Sequence, residues 1–128
     1  MEGQSKLTRP IDLAQKFSLF SEPWQPKIVG EVNGMHVKLA RLQGEFEWHS
    51  HEKEDELFFV VEGVLIMKFR DRTERITPGQ FIIVPAGVEH LPSSEGEECK
   101  IMLFEPASTL NTGDGETTAR TVAELERI

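Results

Sequence analysis

Short apolar segments separated by turn-forming residues constrain the fold of this 128-residue chain more than any other feature. Asn33-Gly34 joins the first two of these segments and is the strongest short-range signal for a β-hairpin. Many short strands at even spacing, without helical stretches between them, indicate an antiparallel barrel or jelly roll. We therefore predict an all-β fold with strands at 27–32, 35–42, 45–51, 56–61, 64–70, 73–77, 80–84, 89–92 and 99–104.

Short helices are expected at both ends of the chain. Apolar residues recur every three positions near 13–19, and Asp12 with Gln15 resembles a capping box there. Thr121 and Glu124 repeat that pattern and predict a second short helix. The length fits one domain. We divide it into an amino-terminal arm with its helix (1–26), a β-barrel (27–105) and a carboxyl-terminal tail (106–128).

The charge balance and the single cysteine bear on partners and location. With 22 acidic and 14 basic residues, the net charge of −8 argues against nucleic acid or an anionic membrane as a partner. We expect no export signal and no membrane span, because no long apolar run is present. Cys99 cannot form an internal disulfide, and we interpret it as a buried thiol. These features favour a cytoplasmic protein.

Three of the four histidines lie in two segments bounded by turn residues. His49 and His51 point to the same side of a strand, because side chains alternate with a period of two. Four residues separate His51 from Glu56, and His90 ends the segment GQFIIVPAGVEH. Imidazoles on one face with a carboxylate within reach suit a divalent transition metal.

The two segments resemble the paired motifs of the cupin superfamily. Gly44–Gly63 is similar to the first family motif, Gly…His-x-His…Glu…Gly, and Gly79–Ser94 to the second, Gly…Pro-x-Gly…His…Asn. Only four residues separate Gly44 from His49, one fewer than in the family, and Ser94 stands where the family has Asn. The resemblance implies a small single-domain cupin with a double-stranded β-helix and the metal ligands His49, His51, Glu56 and His90.

A predicted turn at Glu62-Gly63 suggests which side chains face the barrel lumen. If 56–61 and 64–70 pair across this turn, residues opposite each other share a face. Glu56 must face the lumen to reach a metal. The same face then carries the predicted pocket lining, which can equally fill the barrel as core: Phe58, Val60, Leu65, Met67 and Phe69.

The opposite face of these strands is unusually apolar for a protein surface. Either the amino-terminal helix or a second subunit is expected to cover it. The resemblance to single-domain cupins favours a homodimer. The face consists of Leu57, Phe59, Val61, Val64 and Ile66.

Two reaction classes and one non-catalytic role are compatible with the expected site. We predict one divalent metal per chain, Fe, Mn, Ni, Cu, Co or Zn, because nitrogen-rich coordination disfavours Mg²⁺ and Ca²⁺. Open coordination positions allow an oxygenase that takes O₂ and a chelating small molecule, which we favour, or a Lewis-acid isomerase or epimerase. A non-catalytic cupin that binds metal or a small ligand is the alternative. No catalytic residue beyond the ligands is assigned, since each nearby acidic residue is interpreted as surface: Glu45, Glu47, Glu54, Asp55 and Glu89.

Overall fold

Six antiparallel strands form one sheet in the part of the chain that the structure describes. The structure is a computed structural model that describes residues 8–115 and 117–128, so the first seven residues of the predicted arm lie outside the described residues. The all-β prediction is confirmed. The elements are α1 (Leu13–Phe17), β1 (Lys27–Val32), β2 (Met35–Leu42), β3 (Glu56–Phe69), β4 (Thr73–Ile76), β5 (Phe81–Val84) and β6 (His90–Pro106). The strands lie in the sheet in the order β1-β2-β6-β3-β4, with β5 also paired to β3.

The predicted hairpin between β1 and β2 is present. Val32 pairs with Met35, and the two residues between them form the turn. Asn33 and Gly34 have φ angles of 48° and 78°. Positive values at both central positions are what the preferred two-residue hairpin turn requires, and asparagine and glycine tolerate them best.

Two long strands, β3 and β6, pair with each other along both of their halves. Leu57 pairs with Phe104 in the first half of β3, and Phe69 pairs with His90 in the second. The predicted hairpin at Glu62-Gly63 is therefore wrong. Register shifts on both sides of Glu62 mark a β-bulge, and β3 continues through it.

Gly63 explains why the chain bulges here instead of turning back. Its φ is +82°, and an added Cβ would lie 2.5 Å from the carbonyl oxygen of Glu98. Only glycine permits this close approach of two backbones. The bulge shifts the side-chain alternation by one residue, so the inward positions are even-numbered before it and odd-numbered after it. The side chains expected to face inward are consequently buried: Phe58, Val60, Leu65, Met67 and Phe69.

Two further strand predictions differ from the structure. The segments 89–92 and 99–104 belong to one strand, β6. The segment 45–51 is not a regular strand, and only the isolated bridges Glu45–Ser93 and His49–His90 tie it to β6. Its extended conformation nevertheless keeps His49 opposite His90.

Helix α1 packs on the outer face of the sheet. Asp12 caps it by accepting a hydrogen bond from the Gln15 amide (3.3 Å). Phe17 packs with Phe20 and Leu39, and the guanidinium group of Arg41 donates to the carbonyl oxygens of Phe17 and Phe20. No helix in the described part of the chain is long and apolar enough to span a membrane.

The predicted carboxyl-terminal helix is wrong, because the described tail residues bond elsewhere. The Thr121 hydroxyl accepts from the Thr118 amide and also bonds the Thr112 hydroxyl, so it does not cap a helix. The Val122 amide donates to the Asn111 side chain (2.9 Å), and the last residue, Ile128, bonds β1. The tail therefore runs over the barrel as an irregular strap.

Candidate metal centre

Backbone pairing brings the two histidine-bearing segments together. The His49 amide donates to the His90 carbonyl oxygen (3.1 Å), and the His90 amide donates to that of His49 (2.9 Å). Glu56 opens β3 and lies on the inner face beside them. His51 lies on the same side as His49, as a period of two requires.

The donor atoms of these four side chains converge. Glu56 Oε1 lies 3.1 Å from His51 Nε2 and 3.0 Å from His90 Nε2. The His49 and His90 ring centroids are 4.3 Å apart, and one ligand atom from each of the four residues lies within 4.8 Å of the others. The fourth histidine, His36, contacts Glu31 instead (3.6 Å).

The chemistry of this group fits a metal ion. The Nε2 atoms of His51 and His90 and Oε1 of Glu56 are buried without a hydrogen-bond partner of good geometry. Buried polar atoms without partners are rare in folded proteins, and each needs an explanation. Three imidazoles and one carboxylate form a ligand set that suits a divalent transition metal, which would satisfy these atoms together.

Two of the histidines are oriented by backbone carbonyls. Nδ1 of His49 lies 2.9 Å from the Glu47 carbonyl oxygen, and Nδ1 of His90 lies 2.9 Å from that of Val88. A carbonyl oxygen only accepts, so each Nδ1 carries the proton and each Nε2 presents its lone pair to the site. His51 has no carbonyl partner of this kind among the described residues.

The electrostatics of the site keep its carboxylate ionised. Burial opposes the charge on Glu56, but the imidazoles of His51 and His90, whose Nε2 atoms lie 3.1 and 3.0 Å from its Oε1, outweigh burial and hold the pKa of this carboxyl below its usual range. Burial also opposes the charge on His51, yet Glu56 raises the pKa of that imidazole. Burial, together with His90, lowers the pKa of His49 to about 4.

A narrow cavity opens beside the converging donors. Its volume is about 40 Å³. Of the five predicted lining residues only Phe58 lines it, because the other four pack within the barrel core. The cavity is lined by Trp24, Pro26, Ala40, Leu42, Phe46, His49, Glu56, Phe58, Pro92, Ile101, Leu103, Glu105 and Asn111.

Comparison with known proteins decides the family. Residues 35–105 match the family model described as "Cupin domain", which is more than half of the chain. The chain belongs to the cupin family. A solved cupin-2 domain protein from Shewanella frigidimarina is 45% identical to this cupin, with a TM-score of 0.73 over 75% of this chain and 93% of that one. These matches confirm the predicted double-stranded β-helix of the jelly-roll class.

Two other proteins are similar to this chain. A crystal structure from Neisseria meningitidis is 34% identical, with a TM-score of 0.70 over 77% of this cupin and 100% of that chain. The uncharacterized protein YdbB of Bacillus subtilis is 40% identical over 63 residues, or 48% of this cupin. That match spans 56% of the length of YdbB. The protein is thus a cupin with a His/Glu group able to hold one metal ion.

A buried ion pair borders the cavity of this cupin. Lys38 Nζ lies 2.6 Å from Glu105 Oε2, and the two residues are only 1% and 2% exposed. Burial, and next the charge of Glu56, raise the pKa of the Glu105 carboxyl, whereas Lys38 opposes this shift. The alternation along β2 carries the signal for this inward lysine, because Lys38 shares its strand phase with the buried residues Ala40 and Leu42.

The carboxyl-terminal tail completes one wall of the site. At Gly113 an added Cβ would lie 2.5 Å from the Ser50 carbonyl oxygen and 3.0 Å from the His49 Cβ. The Asp114 amide donates to the Ser50 carbonyl (3.0 Å), and the Asp114 side chain accepts from the Glu52 amide (2.7 Å). The His-Ser-His segment is therefore held between β6 and the tail.

Most of the acidic residues near the motif form surface contacts. The Glu45 side chain pairs with Lys68, and that of Glu89 with Arg70. Glu54 differs from them, because its side chain is only 12% exposed and lies beside His51. The remaining acidic positions contact other loops, with Glu47 accepting from Thr118 and Asp55 from the Ala86 amide.

Proposed function

We propose that this cupin binds one divalent transition metal through His49, His51, Glu56 and His90 and acts on a small, largely apolar molecule as a dioxygenase-like oxidoreductase. The observation that carries the proposal is the convergence of buried, unpartnered donor atoms beside a cavity. Fe, Mn, Ni, Cu, Co and Zn all suit this nitrogen-rich ligand set. When bound, such an ion supplies redox or Lewis-acid chemistry at its open coordination positions.

The walls of the cavity select for an apolar ligand. Trp24 stacks on Phe46 with ring centroids 4.6 Å apart, and Phe58 also lines the cavity. Among the residues that the structure describes, no lysine or arginine lines it, which disfavours phosphorylated substrates. Lys38 lies behind Glu105 and is neutralised by it. The apolar walls exclude water and orient an aromatic or keto-type molecule with its polar end toward His49 and Glu56.

A non-catalytic cupin is the second candidate, and the narrowness of the cavity favours it. At about 40 Å³ the cavity accommodates only a few atoms without movement of its walls. A metal or small-ligand binding protein needs no more space than this. A Lewis-acid isomerase or epimerase would use the same ligands, and a phosphorylated substrate for it is disfavoured because the described cavity lining contains no lysine or arginine.

Elemental analysis of protein purified without a metal-binding tag tests the metal assignment. We expect about one equivalent of metal in the wild type, none in the His49→Ala/His51→Ala double variant, and about one in the control His36→Ala, because His36 lies outside the group. A full equivalent in the double variant overturns the assignment. Oxygen uptake by the Fe²⁺-loaded protein with small aromatic and keto compounds supports the oxidoreductase, and retained metal without uptake supports the binding protein.

We also propose that the cupin is a homodimer. Helix α1 covers Val61 at one end of the apolar outer face. Phe81 and Ile83 remain 58% and 52% exposed, and they stand opposite Phe59 and Leu57 on the neighbouring strand. Large exposed apolar patches mark interaction surfaces, and the identical face of a second copy is an apolar partner for this one.

A further inference from the structure

His51 differs from the other two histidines of the metal group in its outer ring nitrogen. The Nδ1 atoms of His49 and His90 contact backbone carbonyl oxygens, whereas His51 Nδ1 is buried with no hydrogen-bond partner. The residue is only 3% exposed, so water does not reach this atom freely. A buried donor without a partner costs about 1–3 kcal/mol of folding free energy, so a partner for this atom is expected.

The nearest acceptor is the carboxylate of Glu54. Its Oε1 lies 3.9 Å from His51 Nδ1 and is itself buried without a partner. Its other oxygen, Oε2, accepts a hydrogen bond from the Ser108 hydroxyl (2.8 Å), so the tail holds the carboxylate in place. Two complementary buried atoms therefore face each other across a gap about 1 Å longer than a hydrogen bond.

Asp114 is the competing acceptor in this neighbourhood. Its carboxylate lies within 4.8 Å of the ligand atoms of His51 and Glu54. However, its Oδ2 already accepts from the Glu52 amide at 2.7 Å, and Asp114 is exposed. Glu54 has the more buried carboxylate, and its unpartnered Oε1 lies 3.9 Å from His51 Nδ1, so it is the better partner for the imidazole.

We propose that Glu54 is the positioning residue of His51: it accepts the Nδ1–H and directs the Nε2 lone pair toward the metal. Histidines that bind metals generally donate their other N–H to a carboxylate or carbonyl, which fixes the ring and raises its basicity. The arrangement rests on the proposed function, since a metal at Nε2 requires the proton on Nδ1. A movement of about 1 Å by the Glu54 side chain forms the bond.

A second cation between His51, Glu54 and Asp114 is the alternative use of the same atoms. It would require His51 to bind one ion through each ring nitrogen, and the imidazole would have to lose both of its protons. A neutral imidazole offers only one lone-pair nitrogen. The hydrogen bond therefore satisfies the buried atoms with less chemical change.

Zn²⁺ affinity, measured by competition with a chelator, tests this role in the full chain. We expect Glu54→Leu to weaken Zn²⁺ binding by about 10- to 100-fold. The matched control is Glu52→Leu, the same substitution at an exposed position of the same loop, and we expect no measurable loss for it. Glu54→Gln keeps an acceptor oxygen and should restore part of the affinity, and Ser108→Ala should give a small loss, because it frees the Glu54 side chain.

The tautomer of His51 provides a readout that a purely structural role would not change. In Zn²⁺-loaded wild type, long-range ¹H–¹⁵N spectra should show a proton on His51 Nδ1 in a strong hydrogen bond. That signal should shift in Glu54→Leu, while those of His49 and His90 stay in place because backbone carbonyls hold them. Urea unfolding of the same variants shows whether a general loss of stability, and not the loss of this hydrogen bond, lowers the Zn²⁺ affinity.

The possible outcomes distinguish the role of Glu54 from the metal assignment itself. Equal Zn²⁺ affinity and unchanged His51 signals in Glu54→Leu and Glu52→Leu overturn the role of Glu54 and leave the metal assignment intact. Two equivalents of Zn²⁺ in wild type and one in Glu54→Leu overturn it in favour of a second cation. A wild type that retains no metal overturns the proposed function, and the role of Glu54 with it.

Discussion

His49 and His90 orient their rings in the same way, each with Nδ1 2.9 Å from the carbonyl oxygen two residues earlier in the chain. The two residues also exchange a pair of backbone hydrogen bonds. Because the acceptors for both rings are backbone carbonyl oxygens, two of the four ligands are oriented by hydrogen bonds that do not depend on another side chain. His51 has no such support, and its orientation depends on the loop and the tail.

Gly113→Ala should weaken metal binding. At φ +82° alanine costs about 1–2 kcal/mol of unfolding free energy. Its Cβ would also lie 2.5 Å from the Ser50 carbonyl and 3.0 Å from the His49 side chain, so it should displace His49 from the group. We expect Zn²⁺ affinity to fall by about tenfold or more.

Gly96→Ala is the matched control for this experiment. Gly96 has a φ of +78°, but an added Cβ there would meet nothing within 4 Å. It should lose similar unfolding free energy and keep its Zn²⁺ affinity. Equal affinities for the two alanine variants would show that the tail does not position the site.

Lys38→Met should destabilise the protein much more than the double variant Lys38→Met/Glu105→Gln. The single change leaves the buried Glu105 carboxylate without its partner at 2.6 Å, and such a loss typically costs about 3–5 kcal/mol. Removing both charges leaves no isolated charge to bury. Urea unfolding of the three proteins measures the difference, and equal losses in both variants would contradict a dominant role for the ion pair.

Acid should destabilise the metal-free protein through His49. Its pKa is lowered from an ordinary 6.5 to about 4, so between these values the unfolded chain takes up a proton that the folded chain does not. Stability should therefore fall as pH falls through this window, by at most about 1.4 kcal/mol per pH unit. The pKa of His51 is raised, so its contribution changes above 6.5 and is constant within the window.

Unfolding by urea at pH 7, 6 and 5 in the presence of a chelator measures this dependence. His49→Gln removes the titrating group and should show a shallower decline than wild type. The same slope in both proteins would show that His49 is not the group responsible.

Phe59→Lys should weaken the proposed homodimer, because it places a charge in the apolar outer face without a partner. Light scattering at micromolar concentration should report a dimer for the wild type, even at low ionic strength where repulsion between chains of net charge −8 is least screened. Val32→Lys, at a 52% exposed position on β1, is the control and should remain dimeric. A monomeric wild type would contradict the proposal.

The sequence predicted the features that depend on local pattern. Asn33 and Gly34 tolerate the positive φ angles of a two-residue hairpin turn, so the turn can be predicted from these two residues alone. The alternation of side chains around His49 and His51 likewise places both on one side. The two motifs with Glu56 and His90 then indicated which residues meet. Each of these inferences uses only neighbours in sequence or a motif of known spacing.

The features that the sequence did not predict depend on contacts between distant segments. Gly63 could be interpreted as a turn or a bulge, and only the approach of the Glu98 backbone decides between them. The side chains predicted to face inward are buried despite the wrong turn, because a bulge and a two-residue hairpin shift the side-chain alternation in the same way. Thr121 has the pattern of a helix cap, but Thr112 and Thr118 occupy its hydroxyl.

The irregular carboxyl-terminal tail determines where a functional fragment of this protein can end. The family match ends at residue 105 and contains all four predicted ligands, yet Ser108, Gly113 and Asp114 lie beyond it and contact the loop that carries two of them. A fragment with the family boundaries would keep the ligands while losing part of what orients them. The segment that the family model matches is thus shorter than the segment that orients the metal ligands. A grafted or shortened version of the protein should keep the longer segment.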